Sequence, residues 1–202
     1  DAVLSVLGVP FSRKPITVYS QGIAHIVQAM KHEGIRRLVC VSSSATDPQS
    51  RYHDTGGGFV FEKILKPIII NSIGRTTYAD MRQMETLVMN SQLDWVIVRP
   101  SGLFETESIT DYQVAEASIR GQFTSRTDLA DCMLRQLTDD RFLHKAVAVA
   151  TFSTRPKLLQ FLGGEAFQRK EDAAKSTELQ ADDNTTTSHP YEKEGTCAKI
   201  NR

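Results

Sequence analysis

Four apolar runs, separated by amphipathic helical patterns, most constrain the fold of this chain. They lie at residues 2–7, 36–45, 94–99 and 145–151, and their apolar residues are nearly consecutive. A strand buried on both faces of a parallel sheet has this pattern, whereas a strand with one wet face alternates. The sequence therefore predicts an α/β fold with a doubly wound, mostly parallel sheet.

Several segments between these apolar runs have the periodicity of amphipathic helices. Apolar residues recur at helical spacing in 17–33, and Gly34 is placed to end that helix. A second helix is predicted at about 78–91. A third is predicted within 124–137, with Thr127 or Asp128 as its N-cap. The buried face of this third helix is predicted to carry Leu129, Met133, Leu134 and Leu137.

Composition divides the chain into one domain at residues 1–167 and a polar tail at 168–202. The tail is rich in Lys, Glu, Asp, Thr and Ser. It buries too little apolar surface to offset the entropy of ordering, so we expect it to be disordered. The first strand begins at Asp1, with no initiator Met or secretory signal before it. Such a start is typical of a fragment or an unusual isoform.

Charge and cysteine content restrict the partners that we expect. The formal net charge is +0 and no dense basic segment is present, so nucleic acid is not an expected partner. No apolar stretch has the length that a bilayer requires, so no membrane association is expected. Three cysteines without a framework spacing predict reduced thiols in a cytoplasmic protein. The histidines lack metal-ligand spacing, and no metal is predicted.

The residues that follow three of the strands form a candidate ligand site. Ligands of open parallel sheets bind beyond the carboxyl ends of the strands. Glycine in such a turn lets backbone approach a ligand, hydroxyls exchange hydrogen bonds with it, and Ser-Gly after a strand is expected to present free backbone amides. The candidate residues are Leu7, Gly8, Val9 and Pro10 after the first strand, Ser42, Ser43 and Ser44 after the second, and Pro100, Ser101, Gly102 and Leu103 after the third.

Four segments carry a resemblance to a known family: LGVP, LVCVSSSA, YADMRQMETLVMNSQLDWVIVRPSGLF and FTSRTDLADCMLRQL. Over residues 1–151 they resemble atypical short-chain dehydrogenases/reductases, which are NAD(P)H-binding proteins similar to biliverdin reductase B (flavin reductase) and to the NmrA-like group. The resemblance implies a Rossmann-like fold and NADP or NAD as cofactor. It implies that Gly8–Pro10 borders the adenosine and pyrophosphate, that Ser43 lies at the nicotinamide, and that the backbone of Pro100–Leu103 lines the ring.

The chain departs from the family pattern in two ways. It contains no glycine-rich turn between a first strand and helix, so we expect an N-terminally truncated sheet that lacks its main pyrophosphate anchor. The family's catalytic tyrosine is followed four residues later by lysine. Here Tyr78 precedes Arg82, and counting back from Glu85 and Ser91 instead places Thr77 and Met81 in the two positions. In the second alignment the chain has no catalytic pair, so Tyr78 is a candidate proton donor in the first alignment alone.

Each candidate residue also has a purely structural interpretation. Ser42, Ser43 and Ser44 can end a strand by bonding local backbone, and Gly8–Pro10 can be a simple turn. Arg99 is predicted to be a buried structural arginine that pairs with Asp94, Glu85 or Asp131. The adjacent Arg36 and Arg37 are predicted to be solvated.

Three functions are compatible with these features. The first is an NAD(P)H-dependent oxidoreductase that transfers hydride to a small carbonyl, quinone or flavin-like acceptor, with Ser43 and Tyr78 as its catalytic candidates. The second is a non-catalytic NAD(P)-binding sensor or interaction protein of the NmrA-like kind. The third is a truncated chain without an intact cofactor site. The sequence identifies neither the substrate nor the oligomeric state, and it does not choose between NAD and NADP.

Overall fold

The computed structural model describes residues 1–10, 14–49 and 74–154. The predicted polar tail at 168–202 lies outside these residues. The strands are β1 (Ala2–Ser5), β2 (Arg37–Val41), β3 (Asp94–Pro100), β4 (Gly102–Phe104), β5 (Tyr112–Glu116), β6 (Phe123–Ser125) and β7 (Lys145–Thr151). The helices are α1 (Val18–His32), α2 (Arg75–Met89) and α3 (Arg126–Arg135), and a 3₁₀ turn covers Ser44–Thr46.

The described strands form a five-stranded sheet in the order β1-β2-β3-β7-β5 and a two-stranded sheet of β4 and β6. The pairs β1–β2, β2–β3 and β3–β7 are parallel, and β5 pairs antiparallel with β7. The predicted mostly parallel, Rossmann-like α/β fold is confirmed.

Helices cover both faces of the large sheet. Leu38, Cys40 and Ile97 pack in one apolar cluster with residues of α1 and α2. Val39, Val96 and Val98 pack in a second cluster with residues of α3. Because neighbouring strand residues point to opposite faces, burial on both faces requires the consecutive apolar residues from which these strands were predicted.

β1 corrects the prediction of a fully buried first strand. It is an edge strand in the described sheet, and Leu4 is 39% exposed. An edge strand has one neighbour only, so its side chains lose less water than those of a central strand. The strand also stops at Ser5, and β2 stops at Val41, both earlier than predicted.

The end of α1 agrees with the predicted cap, whereas the start of α3 does not. α1 ends as predicted at Gly34, whose φ is +69°, and the N–H of Ile35 donates to the carbonyl of Met30 as in a Schellman motif. The predicted cap of α3 is wrong. Ser125 caps this helix by accepting the N–H of Asp128, which moves the start of the helix to Arg126.

Two further predictions need correction. Leu134 is exposed, and Cys132 takes its place on the buried face of α3. Arg37 is not solvated, because its guanidinium donates to the backbone carbonyls of Gln136 and Asp139 and pairs with Asp140 at 2.9 Å. Arg36 does remain exposed and pairs with Asp94.

Candidate functional site

The carboxyl ends of β1, β2 and β3 lie side by side at one edge of the sheet. The register pairs Ser5 with Cys40 and Cys40 with Ile97, so the three strands reach this edge together. The N–H of Ser42 then donates to the carbonyl of Val98 at 2.8 Å. All three predicted segments therefore leave the sheet from neighbouring strands at the same edge, which is called the carboxyl edge below.

The segment after β1 is fastened to α1. The N–H of Val9 donates to the hydroxyl of Tyr19 at 3.2 Å, and burial raises the pKa of this tyrosine, so the phenol stays neutral. Gly22 lies under Leu7, where a Cβ would stand 2.7 Å from the leucine Cδ1. Glycine at this point of α1 allows the close approach of the segment.

Gly8 differs from the residues on either side of it. It is exposed and makes no backbone hydrogen bond with another described residue. A Cβ built on Gly8 meets no atom within 4 Å. Its amide and carbonyl are therefore accessible to a ligand at the carboxyl edge.

The segment after β2 is a capped turn. Ser43 has extended backbone angles, and its Oγ accepts the N–H of Ala45 at 3.2 Å. Its carbonyl accepts the N–H of Thr46 at 3.0 Å. Ser43 thus does the local bonding that its structural interpretation predicted. Its hydroxyl proton has no acceptor among the described residues, so one donor remains for a ligand.

The segment after β3 corrects an expectation. The N–H of Ser101 donates to Thr124 Oγ1 at 2.9 Å, and the N–H of Gly102 donates to the carbonyl of Gln122 at 3.0 Å. These amides are not free, because Gly102–Phe104 forms β4 and pairs with β6, a strand that the sequence did not predict. The segment Pro100–Leu103 remains at the carboxyl edge, and Pro100 has no N–H to donate.

Beneath the turn lies a buried ion pair. Arg99 donates from Nε to Glu85 Oε1 at 3.0 Å and from Nη2 to Glu85 Oε2 at 2.8 Å. Burial is the largest single effect and lowers the pKa of Arg99, but the hydrogen bonds to Glu85 together with the negative charges of Glu85 and Asp47 outweigh it, so the net pKa is raised and the guanidinium stays charged. Of the three carboxylates that the sequence offered as partners, Glu85 is the one that pairs.

α2 carries the residues that the two alignments place at the family's tyrosine position, Tyr78 in one and Thr77 in the other. Tyr78 and Thr77 are buried, whereas Arg82, four residues after Tyr78, is exposed. Met81, four residues after Thr77, packs against the apolar cluster of α1 and α2. Thr77 Oγ1 is buried and has no hydrogen-bond partner among the described residues. The helix contains no lysine, so neither register supplies the family's tyrosine–lysine pair.

Two open grooves on the surface contain none of the candidate residues of the carboxyl edge. One, of about 400 Å³, is lined by residues that include Tyr112 and Asp131. The other, of about 500 Å³, includes Arg36 and Asp94. Ion pairs within the protein already engage Asp131, Arg36 and Asp94. Within the described residues, no group of three or more His, Cys, Asp or Glu side chains is arranged to hold a metal.

A profile of proteins described as NAD(P)H-binding matches residues 1–140 of the sequence. The chain belongs to this NAD(P)H-binding family. The match includes β1, α1, β2, α2 and β3, the elements that form the carboxyl edge. The four quoted segments predicted that the chain resembles NAD(P)H-binding proteins, and this prediction is confirmed.

Individual relatives in and around the NAD(P)H-binding family are distant. UPF0659 protein C216.03 of Schizosaccharomyces pombe is 27% identical over 132 residues, which are 63% of this chain and 51% of that protein. A short-chain dehydrogenase/reductase of Veillonella parvula, solved in complex with NADP, is 20% identical, with a TM-score of 0.55 over 76% of this chain and 64% of that one. The anaerobilin reductase ChuY of Escherichia coli O157:H7 is 17% identical, with a TM-score of 0.55 over 77% and 67%.

These comparisons set the extent of the likeness. The chain spans about half the length of the curated relative it matches and about two thirds of the two solved structures. At such identities the solved structures share the Rossmann-like fold with this chain. No helix among the described residues has both the length and the apolar character needed to cross a bilayer.

Proposed function

We propose that this chain binds a nicotinamide dinucleotide at the carboxyl edge and orients it for hydride transfer to a small carbonyl, quinone or flavin-like acceptor. The observation that carries the proposal is the side-by-side arrangement of the strand ends. Three neighbouring parallel strands, paired through Ser5, Cys40 and Ile97, deliver their following segments to one place. Ligands of open α/β sheets bind at such an edge.

The residues at the edge fit one end of a dinucleotide. Gly8 offers open space and uncommitted backbone groups for close contact with the ligand. Ser43 retains a hydroxyl proton, which can be donated to the carboxamide of the cofactor or to an acceptor oxygen. The third segment forms a rigid side of the proposed ligand site, because the pairing of β4 with β6 and the bond to Thr124 hold its backbone. It consists of Pro100, Ser101, Gly102 and Leu103.

When bound, the reduced nicotinamide supplies a hydride, which carries two electrons to the acceptor and leaves the oxidised dinucleotide. The described part of the chain supplies orientation and one hydroxyl donor. Because α2 has no tyrosine–lysine pair, we propose that solvent provides the proton that completes the reduction. Tyr78 is buried and stays a candidate donor only if substrate reaches it.

A binding measurement followed by a turnover assay tests the proposal. Titration calorimetry of the 202-residue chain with NADP, NADPH, NAD and NADH gives the preferred cofactor. NADP is the first ligand to try, because the Veillonella parvula protein was solved in complex with it. Oxidation of the bound reduced cofactor is then followed with a flavin and with a quinone. We expect binding and acceptor-dependent oxidation, and no binding of any of the four ligands would refute the proposal.

A matched pair of serine variants locates the site. Ser43→Ala removes the hydroxyl whose proton is uncommitted, and it is expected to weaken dinucleotide binding by about tenfold. Ser108→Ala is the control, since Ser108 is exposed and its side chain has no hydrogen-bond partner among the described residues. Equal binding by the two variants would place the ligand elsewhere.

The second candidate is a non-catalytic NAD(P)-binding sensor or interaction protein. The observation that favours it is the character of α2, in which Met81 is packed in the apolar core and Arg82 points to solvent. Neither side chain can act as the compact ammonium that lowers a phenol's pKa in short-chain dehydrogenases. Tight binding without oxidation by any flavin, quinone or carbonyl acceptor would select this function over reduction.

A further inference from the structure

The ion pair of Glu85 and Arg99 is buried, and two hydrogen bonds also hold it in one orientation. Glu85 is 4% exposed and Arg99 is 7% exposed, and both guanidinium bonds are 3.0 Å or shorter. A buried ion pair often contributes little to stability compared with apolar side chains of similar volume. What a bidentate pair does provide is a fixed orientation, because two parallel hydrogen bonds from Arg99 fix the plane of the Glu85 carboxylate.

The fixed carboxylate makes a third bond, to the turn after β2. The hydroxyl of Thr46 lies 2.7 Å from Glu85 Oε1 and 2.7 Å from the carbonyl of Ser43. A threonine hydroxyl has one proton, so it is shared between the two acceptors or donated to one of them. The charged carboxylate is the stronger acceptor, and the Ser43 carbonyl also accepts the N–H of Thr46.

Other contacts connect the same turn to the same pair. Ser42 Oγ lies 3.3 Å from Thr46 Oγ1. The carboxylate of Asp47 acts electrostatically on Arg99 and accepts the N–H of Gln49 at 3.0 Å. The strand β3, the helix α2 and the turn after β2 therefore meet in one buried polar network. Thr46 is the point at which the turn joins it.

The network ends at Ser43, a candidate ligand donor of this segment. Ser43 caps the 3₁₀ turn, and Thr46 closes the turn by donating its N–H to the Ser43 carbonyl, with its hydroxyl 2.7 Å from the same oxygen. Any displacement of Thr46 therefore changes the direction of Ser43. Arg99 and Glu85 themselves are buried beneath this edge and face other protein groups.

We propose that Glu85, oriented by Arg99, is a positioning residue that holds Thr46 and thereby fixes Ser43 in the direction needed to meet the dinucleotide. The inference rests on the proposed function, since it assigns a role to residues behind the proposed ligand site. It separates Glu85 from the residues that touch the ligand: Glu85 acts through Thr46, and its effect is on the geometry of the carboxyl edge.

The test replaces the connecting hydroxyl while keeping the shape of the side chain. Thr46→Val removes both short contacts, and Thr46→Ser restores the hydroxyl as a rescue. Thr86→Val is the matched control, because Thr86 lies exposed on α2 and bonds only the carbonyl of Arg82 at 3.0 Å. Three quantities are measured: amide hydrogen exchange at Ala45 and Thr46, the dissociation constant for the dinucleotide, and the midpoint of thermal unfolding.

We expect Thr46→Val to speed exchange at Ala45 and Thr46 and to raise the dissociation constant by about tenfold, as for the loss of a bond to a charged group. Exchange in the core strands at Leu38 and Val96 should stay as in the wild type. Thr46→Ser should restore the binding, and Thr86→Val should change neither quantity. A uniform rise in exchange across the protein would mean that Thr46 only stabilises the fold, and this would overturn the inference.

A second variant removes both members of the ion pair together. Glu85→Leu with Arg99→Met leaves the net charge of the network unchanged and removes the acceptor of the Thr46 hydroxyl, so we expect the same local rise in exchange and the same weaker binding as in Thr46→Val. Unchanged exchange in this double variant would overturn the positioning role whether or not the dinucleotide binds. Failure of the wild type itself to bind would refute the proposed function, while the exchange at Ala45 and Thr46 would still decide whether Glu85 holds the turn.

Discussion

Asp80 of α2 accepts the backbone N–H of Tyr19, the second residue of α1, at 2.9 Å. It also accepts from the N–H of Ser20 at 3.4 Å and from the hydroxyl of Ser20. Thr17, the residue at the N-cap of α1, makes no side-chain cap bond. The start of α1 is therefore capped from another helix, and the carboxylate's charge also interacts favourably with the helix dipole.

Replacing Asp80 with alanine should destabilise the protein. The change leaves the buried N–H of Tyr19 without its acceptor and removes the cap, so we expect a loss of about 1–3 kcal/mol in the free energy of unfolding. Urea denaturation followed by far-UV circular dichroism measures it. Glu107→Ala is the control, because Glu107 is exposed. Equal stability of the two variants would contradict the capping role of Asp80.

The two glycines Gly8 and Gly34 should respond oppositely to alanine. Gly8 has open space around its Cβ position, whereas Gly34 has a φ of +69°, which alanine adopts only with strain. Gly34→Ala should therefore cost about 1 kcal/mol of stability and leave dinucleotide binding unchanged. Gly8→Ala should leave stability unchanged or slightly raised, and it should weaken binding if the ligand lies against Gly8.

Calorimetric titration and thermal unfolding of both variants check this prediction together. Each glycine serves as the control for the other, since the same substitution is made at two turns. Normal binding by Gly8→Ala would remove Gly8 from the proposed site. Weaker binding by Gly34→Ala would show that its strain reaches the carboxyl edge.

The buried thiols predict a loss of stability in alkaline solution. Burial raises the pKa of Cys40 from 9.0 to about 12, and it raises the pKa of Cys132 from 9.0 to about 12. The folded state thus holds both protons up to a higher pH than the unfolded state does. Their contribution is complete below pH 9 and is lost as the pH rises from about 9 towards 12, at about 1.4 kcal/mol per pH unit for each thiol.

Denaturation of the variant Cys197→Ser between pH 7 and pH 10.5 measures this effect, because the change removes the cysteine that lies outside the described residues. Adding Cys40→Ala and Cys132→Ala should flatten the stability profile above pH 9. Labelling with a thiol reagent at pH 8 should be slow in the folded Cys197→Ser protein and fast in urea. Rapid labelling of the folded protein would contradict the burial of the two thiols.

The sheet was predictable because burial on both faces imposes a visible pattern. Runs such as Trp95–Val98 are typical of a strand with helices on each side, and Gly34 signals its helix end locally. β4 and β6 were missed because each has three residues and gains its place by pairing with the other. The cap of α1 was missed because its acceptor, Asp80, is distant in sequence from Tyr19.

The location of the candidate site could be predicted from the strand ends, but the hydrogen-bond partners of its residues could not. Parallel pairing brings the segments after β1, β2 and β3 together, so placing them at one edge required only the strands. The hydrogen bond from the Ser101 N–H to Thr124 could not be predicted, because Thr124 lies in β6, a strand that the sequence did not predict. The partner of Arg99 depends on how α2 packs against β3, and three carboxylates were compatible with the sequence. Polar networks combine several elements, which is why the local pattern does not encode them.

Thr77→Val should separate a ligand contact from a packing role at the proton-donor position. Thr77 is 2% exposed, and its hydroxyl has no hydrogen-bond partner in the described part of the chain. α2 leads into the start of β3, so the opposite end of the helix, where Thr77 lies, is directed towards the carboxyl edge. Valine keeps the shape and removes the unpaired hydroxyl, so the ligand-free protein should gain about 1 kcal/mol of stability.

The same variant should bind the dinucleotide or its acceptor less tightly, if the hydroxyl finds its partner there. Denaturation in the absence of ligand and titration calorimetry with NADPH give the two quantities, and Thr86→Val on the exposed face of α2 is the control. A loss of stability in the ligand-free Thr77→Val protein would mean that the hydroxyl already has a partner within the fold. A gain in stability with unchanged binding and turnover would assign Thr77 to packing alone, and Tyr78 would then be the remaining candidate donor on α2.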